Sequence, residues 1–364
     1  MNEINKKEFK KSLIEFLEVE GPSRHEEKVA EMLINKVNTK VYQVSYDNFG
    51  SVILFKKSKV KNAIKFMVAA HMDEVGFYVR NIENNGQIIL SAIGGIWPNT
   101  VIGTKATLIN KDGKRFDGVF GHTSIHILEA EKRTKAVTMN ELYADFGFYS
   151  KEEAIEKGVE IGNLVLMSGE TINFDNEDLV AGKAMDNRAG VTVLEYIAKQ
   201  LENIDLSVDL YLVGTVQEEV GTRGAKTSVS LIDPQIAIAL DTTSSHDTIG
   251  TIQGTTKLNH GAAIRIMDGG MIANPKLVEY MSKIGREKNI MHYKFIAMGG
   301  GTDAAQLQYA KGGAATLTIS LPQRYLHSPI GVCSINDLIS ATNLISETIK
   351  SLNNDIYDKM IKYK

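Results

Sequence analysis

The 364-residue sequence has only one cysteine, Cys333, which excludes an internal disulfide framework and any zinc site built from several cysteines. A metal site would therefore need histidine and carboxylate ligands, and the shortage of cysteine indicates a reducing compartment. Long runs of one charge sign are also absent, since 41 basic and 44 acidic residues give a formal net charge of -3. This balance indicates neither a nucleic-acid nor a membrane partner, and it favours small-molecule or peptide chemistry.

No segment reaches the roughly 18 consecutive apolar residues of a membrane-spanning helix. The N-terminal stretch mixes both charge signs at amphipathic spacing and lacks the uninterrupted apolar region of a secretory signal. We therefore expect a cytoplasmic protein. A hydrophobic content of 43% is ample for a core, and at this length two domains are the default expectation.

The N-terminal third predicts helices followed by buried strands. Apolar spacing indicates two helices, and SRHE at residues 23–26 has the pattern of a capping box that opens the second one. Three short strand-like runs follow. The last of them, IKFMVAAH, is nearly all apolar, as expected of a strand that is covered on both faces.

The middle of the chain has a different texture, with short strand-like runs separated by turn signals such as Asn85-Gly86. Helices and strands then alternate, and Ser334 with Asp337 three residues later predicts the start of the last helix. We therefore expect an α/β domain made of residues 1–74 and 176–364, interrupted by an all-β insertion at residues 75–175.

Ligand-type side chains occur where predicted strands end, which is the edge at which open α/β sheets bind their ligands. In the His-x-Asp pattern of His71 and Asp73, the two side chains of an extended backbone point to the same side. The imidazole can then bind a metal while the carboxylate orients it. A strand-end turn with a satisfied histidine is the structural alternative. For Asp186, the alternative is a helix N-cap formed by it or by Asn187.

Two adjacent carboxylates, Glu218 and Glu219, follow a long apolar run and point in opposite directions on an extended segment. One can serve as a metal ligand and the other as a base, as a dimetal hydrolase requires. A solvated acidic strand end is the alternative, which the apolar run disfavours. Asp241 and His327 also follow apolar strands. A histidine alone is more often structural, but two histidines and three carboxylates at one sheet edge suit two ions that share a carboxylate.

Two further motifs predict no site. The stretch GGGTDAAQ, from Gly299, lacks both the Lys-Ser/Thr ending of a phosphate-binding loop and the spacing of a dinucleotide site. No G-x-S-x-G motif surrounds Ser124, so Ser124 and His126 do not indicate a serine hydrolase.

The motifs AHMDEVG, GKAMDNRAG, TVQEEVGTRGA, ALDTT, GGGTDA and RYLHSP occur in that order. Together they resemble the tetrahedral aminopeptidases, a family of dinuclear metallopeptidases that includes glutamyl and deblocking aminopeptidases. The resemblance covers nearly the whole chain, including IGGIWP and GVFGHTSIH in the β insertion. It implies an α/β fold with a zinc-exopeptidase-like mixed sheet flanked by helices. The insertion would be a small PDZ-like β-barrel that joins subunits.

Carried over by position, the resemblance implies a complete site. Zinc or cobalt, or else manganese, would occupy two positions, with Glu218 as the general base and Asp73 beside the first histidine. The implied metal ligands are His71 and Asp241 for one ion, Glu219 and His327 for the other, and Asp186 between them.

The activity implied is hydrolysis of the first peptide bond of peptides with a free N-terminus, by dimers that assemble into a hollow dodecamer. The sequence departs from the family pattern at Ile249 and at Asn259-His260, which bears on specificity more than on catalysis. A dimetal deacylase of N-acyl amino acids and a catalytically silent metal-binding scaffold remain alternatives. Some relatives have been labelled endoglucanases, but a glycosidase needs a carboxylate pair flanking a sugar rather than histidine-containing metal sites.

Overall fold

The computed structural model describes residues 4–363, which form a large sheet flanked by helices and a separate small barrel. The helices are α1 Lys6–Glu18, α2 Glu27–Asn35, α3 Lys151–Glu156, α4 Met185–Leu201, α5 Arg223–Ile232, α6 Pro275–Glu287, α7 Ala304–Leu307, α8 Ile335–Ser351 and α9 Asn354–Ile356. The strands of the large sheet are β1 Gln43–Tyr46, β2 Val52–Lys56, β3 Lys65–His71, β10 Ile172–Asn173, β11 Leu179–Gly182, β12 Asp209–Thr215, β13 Ile236–Ser244, β14 Ala262–Met267, β15 His292–Ile296, β16 Ala315–Arg324 and β17 Gly331–Ser334. The strands of the barrel are β4 Gly76–Ile82, β5 Ile88–Ile93, β6 Lys105–Ile109, β7 Arg115–Gly121, β8 Tyr143–Asp145 and β9 Leu164–Met167.

The large sheet is mixed, with a parallel centre. Its main path runs β1, β2, β12, β3, β13, β16, β17, β11 and β10, and β14 joins it by pairing with β16. The four central strands β12, β3, β13 and β16 are parallel to one another. They are buried along nearly their whole length because α4, α5 and α7 pack against them. The central strands therefore present their carboxyl ends at one common edge.

The inserted strands close into a barrel in the order β4, β5, β8, β7, β6 and β9. A separate apolar cluster that includes Phe77, Leu108 and Phe120 fills this barrel. The predicted fold class, a mixed sheet flanked by helices with an inserted β-barrel, is confirmed. Strand β10 lies inside the predicted insertion of residues 75–175, yet it pairs with β11 of the large sheet.

The first capping prediction was wrong because the Ser23 hydroxyl bonds elsewhere, whereas the second correctly predicted where its helix starts but not a capping bond. Helix α2 begins at Glu27 without a side-chain cap, and the Ser23 hydroxyl donates instead to Asp73 Oδ2 at 2.6 Å. Helix α8 does begin directly after Ser334, but that side chain makes no capping bond. The Asp337 carboxylate accepts backbone N–H groups of a distant loop. In the described part of the chain, no helix combines the length and apolar character required to cross a membrane.

Candidate metal centre

The carboxyl ends of the central strands bring the predicted ligand residues together. Because β3, β12, β13 and β16 are parallel neighbours, residues at their ends meet at one edge of the sheet. One potential ligand atom each from His71, Asp186 and Glu219 lies within 4.8 Å of the others. The cavity at this edge has a volume of about 860 Å³, and its lining includes all of the predicted ligands and the predicted base: His71, Asp186, Glu218, Glu219, Asp241 and His327.

Asp186 lies between the two histidines. Its Oδ1 is 3.1 Å from Nε2 of His71, and its Oδ2 is 3.1 Å from Nε2 of His327. Each histidine also faces a second carboxylate through the same nitrogen, at 3.5 Å for Asp241 Oδ1 and at 3.4 Å for Glu219 Oε2. The donors therefore form two groups, each with one imidazole and one carboxylate, and Asp186 belongs to both.

Asp186 is free for this position because its neighbour Asn187 performs the capping role. The Asn187 Oδ1 accepts the backbone N–H of Gly190 at 3.0 Å, inside the first regular turn of α4. Its Nδ2 donates to the carbonyl oxygen of Leu240 on β13 at 2.8 Å. Of the two residues considered for an N-cap, Asn187 caps the helix and Asp186 points its carboxylate at the histidines.

Both imidazoles are oriented through their other nitrogen. The Nδ1 of His71 lies 3.1 Å from the carbonyl oxygen of Asp73, and the Nδ1 of His327 lies 2.6 Å from the carbonyl oxygen of Gly95. An Nδ1–H that donates to a carbonyl leaves Nε2 as a lone-pair donor for a metal. Gly95 follows strand β5, so the barrel takes part in orienting one of the two histidines.

Asp73 holds the segment that carries the two glutamates. Its Oδ1 accepts the backbone N–H of Glu218 at 2.9 Å, and its Oδ2 accepts the backbone N–H of Glu219 at 3.2 Å. The Ser23 hydroxyl adds a third bond at 2.6 Å. Asp73 is completely buried, so these bonds fix the turn after β12 against the end of β3.

The electrostatic field of the site favours cations. Burial, reinforced by nearby Asp241, raises the pKa of the Glu218 carboxyl well above its ordinary value, and burial raises the pKa of Glu219 to about 7. Burial opposes the charge on His327, but hydrogen bonds to Asp186 and Glu219 outweigh it and raise the His327 pKa to about 11. The carboxylates thus repel one another and stabilise positive charge placed among them.

A bound divalent cation would coordinate a ligand atom that otherwise has no partner. Within the described residues, Glu219 Oε1 is buried and has no hydrogen-bond partner. A buried carboxylate oxygen without a partner is costly unless an ion coordinates it. Imidazole nitrogens and carboxylate oxygens are the donors that zinc, cobalt and manganese accept, so the residues present fit such ions.

Asp303 belongs to this region, although no role was predicted for it. Its Oδ2 accepts the hydroxyl of Thr215 at the end of β12, and in the part of the chain that the structure describes its Oδ1 is buried without a partner. Burial raises its pKa to about 7. The signal was the GGGTDA motif, which places an aspartate directly after a glycine-rich loop at the start of α7.

Comparison with known proteins agrees with this geometry. A family model described as M42 glutamyl aminopeptidase matches residues 50–344. The glutamyl aminopeptidase of Lactococcus lactis is 33% identical over 339 residues, which cover 93% of this chain and 95% of that protein. Aminopeptidase APDkam598 from the archaeon Desulfurococcus kamchatkensis superposes with a TM-score of 0.91 at 33% identity, covering 99% of both chains.

A second solved structure bears on assembly. The TET1 peptidase of Pyrococcus horikoshii, described as able to assemble into a tetrahedron or a large octahedral shell, superposes with a TM-score of 0.84. Its sequence is 28% identical, and the match covers 94% of this chain and 100% of that one.

Proposed function

This chain belongs to the M42 glutamyl aminopeptidase family and is a metal-dependent aminopeptidase, and from that premise we propose that it releases single residues from the free N-terminus of peptides. Family membership also confirms the resemblance to the tetrahedral aminopeptidases. The observation that carries the proposal is the position of Asp186, whose two oxygens each lie 3.1 Å from a different histidine nitrogen.

Two divalent cations would share Asp186, with His71 and Asp241 completing one site and Glu219 and His327 the other. Zinc or cobalt suits the mixed imidazole and carboxylate donors best, and manganese is the further candidate. When bound, such ions lower the pKa of a water and polarise the carbonyl group of the peptide bond that breaks.

Glu218 would move the proton in this reaction. Its carboxylate lines the cavity, and its raised pKa suits a group that takes a proton from the attacking water and then returns it to the leaving amine. Asp73 would keep Glu218 in place, because it accepts that residue's backbone N–H at 2.9 Å. The carboxylates around the cavity would attract the free α-ammonium group of the peptide, which restricts cleavage to the first bond.

The function is tested with one peptide series, free and N-acetylated at the N-terminus, and with protein loaded with zinc or cobalt. We expect stepwise release of amino acids from the free peptides alone, and a chelator should abolish it. Cleavage of the acetylated series would instead support the deacylase. Metal binding without turnover of either series would support the scaffold.

The ligand assignment has its own test. We expect His327→Ala to lower the metal content from two ions per chain, because the second site loses its only imidazole. His126→Ala is the matched control, since His126 is exposed on a loop after β7. Two ions per chain retained in His327→Ala would contradict the assignment.

Assembly and location complete the proposal. The superposition with a peptidase that forms a tetrahedron supports self-association into a dodecamer, and the family resemblance implies that the barrel joins subunits into dimers. Native mass spectrometry of the purified chain would show twelve copies, and a stable monomer would contradict this. The single cysteine supports a cytoplasmic location.

A further inference from the structure

A second cavity lies beside the metal centre, between the barrel and the large sheet. Its volume is about 630 Å³, which lies within the roughly 300–1,000 Å³ typical of ligand sites. Trp97 and Thr100 of the barrel form one side, and the segment after β16, including Tyr325, forms the other. The cavity is adjacent to the metal-centre cavity, because Ser244 and Leu326 line both.

Residues that line the second cavity lie next to one of the predicted metal ligands, His327. The barrel loop that carries Trp97 also carries Gly95, whose carbonyl oxygen lies 2.6 Å from His327 Nδ1. Leu326 directly precedes that histidine in the chain. A peptide whose first carbonyl lies at the metal centre therefore reaches this cavity within a few residues, because an extended chain advances about 3.3 Å per residue.

The lining of the second cavity differs from that of the metal centre. None of its lining residues carries a charge, and the lining includes serine and threonine hydroxyl groups as well as apolar side chains. Hydroxyl oxygens can accept or donate hydrogen bonds, so they suit the amide groups of a peptide backbone. Trp97 is 62% exposed and Tyr325 is 57% exposed, which leaves two aromatic faces available for contact with a ligand.

Gln323 supplies a further polar group. It is 2% exposed and lines the second cavity, and its Oε1 is buried without a hydrogen-bond partner among residues 4–363. A buried amide oxygen without a partner is costly, and a small rotation of the Gln323 side chain would offer this oxygen to a peptide N–H in the cavity.

We propose that the second cavity binds the substrate peptide beyond its first residue, and that it reads the backbone rather than the side-chain charges. This inference rests on the proposed aminopeptidase function. The metal-centre cavity would hold the N-terminal residue, and Trp97 would contact the residues that follow. The enzyme would then favour longer peptides over dipeptides while tolerating varied sequences after the first position.

The first experiment compares two C-terminally amidated substrates that share the first residue: a dipeptide amide and a pentapeptide amide with alanine at the other positions. We expect Trp97→Ala to lower the ratio of kcat/KM for the pentapeptide to that for the dipeptide by about tenfold, because the longer peptide loses its aromatic contact. Tyr46→Ala is the control: it removes an exposed aromatic side chain from β1, the strand at one end of the large sheet, and Tyr46 lines neither cavity. This variant should leave the ratio unchanged.

The second experiment introduces a charge into the uncharged lining of the second cavity. Thr251 is an exposed residue of the second cavity, and Thr251→Glu adds a negative charge there, whereas Thr251→Gln adds similar bulk without charge. We expect the glutamate variant to favour lysine over glutamate at the third peptide position by about three- to fivefold, on the scale of an exposed ion pair. The glutamine variant should show no such preference.

These outcomes separate the two proposals. Wild-type protein that releases nothing from any free peptide overturns the proposed function and this inference with it. Active wild-type protein in which Trp97→Ala affects both peptide lengths equally, or neither, overturns the inference alone. A selectivity change of Thr251→Glu confined to the first position would assign the second cavity to the N-terminal residue and likewise overturn it.

Discussion

At the scale of single residues, Glu218 and Glu219 are chemically identical neighbours with different surroundings. Glu219 Oε2 lies 3.4 Å from His327 Nε2, whereas nearby Asp241 and Asp303 help to raise the pKa of Glu218. Both residues lie in the turn after β12 rather than on the expected extended segment, and both line the metal-centre cavity, so one turn can present a metal ligand and a base.

The pair provides a matched comparison. We expect Glu218→Gln to keep the metal content of the wild type and to lower kcat by at least about 100-fold, the usual scale of general acid-base help. We expect Glu219→Gln to lose metal, because an amide is a weaker ligand than a carboxylate. Metal analysis and peptide kinetics of both variants check this. Near-normal turnover in Glu218→Gln would refute its assignment as the base.

Residue types at strand ends and turns indicated His71, Asp186, Glu219, Asp241 and His327 as candidates, and the family resemblance implied their assignment as metal ligands; the structure brings all five to one cavity. Asp303 could not be given a role in the same way. Its bond to Thr215 joins positions 88 residues apart, and the packing of α7 against α5, β13 and β16 brings it to the site. A sequence pattern reports what a side chain can bind, but not which distant group reaches it.

At the scale of elements, the turn after β12 depends on the end of β3. Asp73 accepts the backbone N–H groups of Glu218 and Glu219 with different oxygens, and Ser23 of the loop before α2 supports one of those oxygens. This also explains the failed capping prediction. The Ser23 hydroxyl has a buried carboxylate as its partner, which a local capping pattern cannot reveal.

We expect Asp73→Asn to lower kcat about 10- to 100-fold, the range for groups that orient metal ligands. An asparagine offers one acceptor oxygen and directs an NH₂ group at the other backbone N–H, so the turn shifts. Ser23→Ala removes only one of the three bonds and should have a smaller effect. Peptide kinetics with parallel metal analysis measure both, and equal effects of the two variants would contradict this ranking.

The barrel also reaches the site as an element. Gly94, after β5, has a φ of +81°, and a Cβ at this position would lie 2.7 Å from Val75 Cγ1 and 3.2 Å from Glu219 Cβ. The barrel therefore packs directly on a predicted metal ligand, besides orienting His327 through Gly95.

Two glycine variants separate backbone strain from contact with the site. Gly94 and Gly103 both have positive φ, but nothing lies within 4 Å of a Cβ at Gly103. We expect Gly94→Ala to lower activity on the order of 10- to 100-fold, because small displacements of reacting groups are costly. Gly103→Ala should lower only the melting temperature. Equal activities of the two variants would show that the barrel does not position Glu219.

At the scale of the whole molecule, the site places carboxylates together in the interior, and this makes stability depend on pH and metal. Burial raises the pKa of Glu219 and of Asp303 from ordinary values of 4.5 and 3.8 to about 7. Without ions, folding therefore becomes less favourable as pH rises from the ordinary pKa to about 7. His327 acts in the same direction, because its pKa is raised from 6.5 to about 11, so the stability from its charge falls above pH 6.5.

The metal-loaded protein should behave differently, since cations bind the deprotonated ligands and their contribution grows with pH. The pKa values of Asp73 and Asp186 are lowered in the folded protein. These two groups therefore change the stability only below the ordinary carboxyl pKa of 3.8, in more acidic solution. We therefore expect the Tm of chelator-treated protein to fall between about pH 5 and pH 8, and the gap to zinc-loaded protein to widen. Scanning fluorimetry of both forms over this range measures the gap. A constant gap would mean that the ions do not bind at these carboxylates.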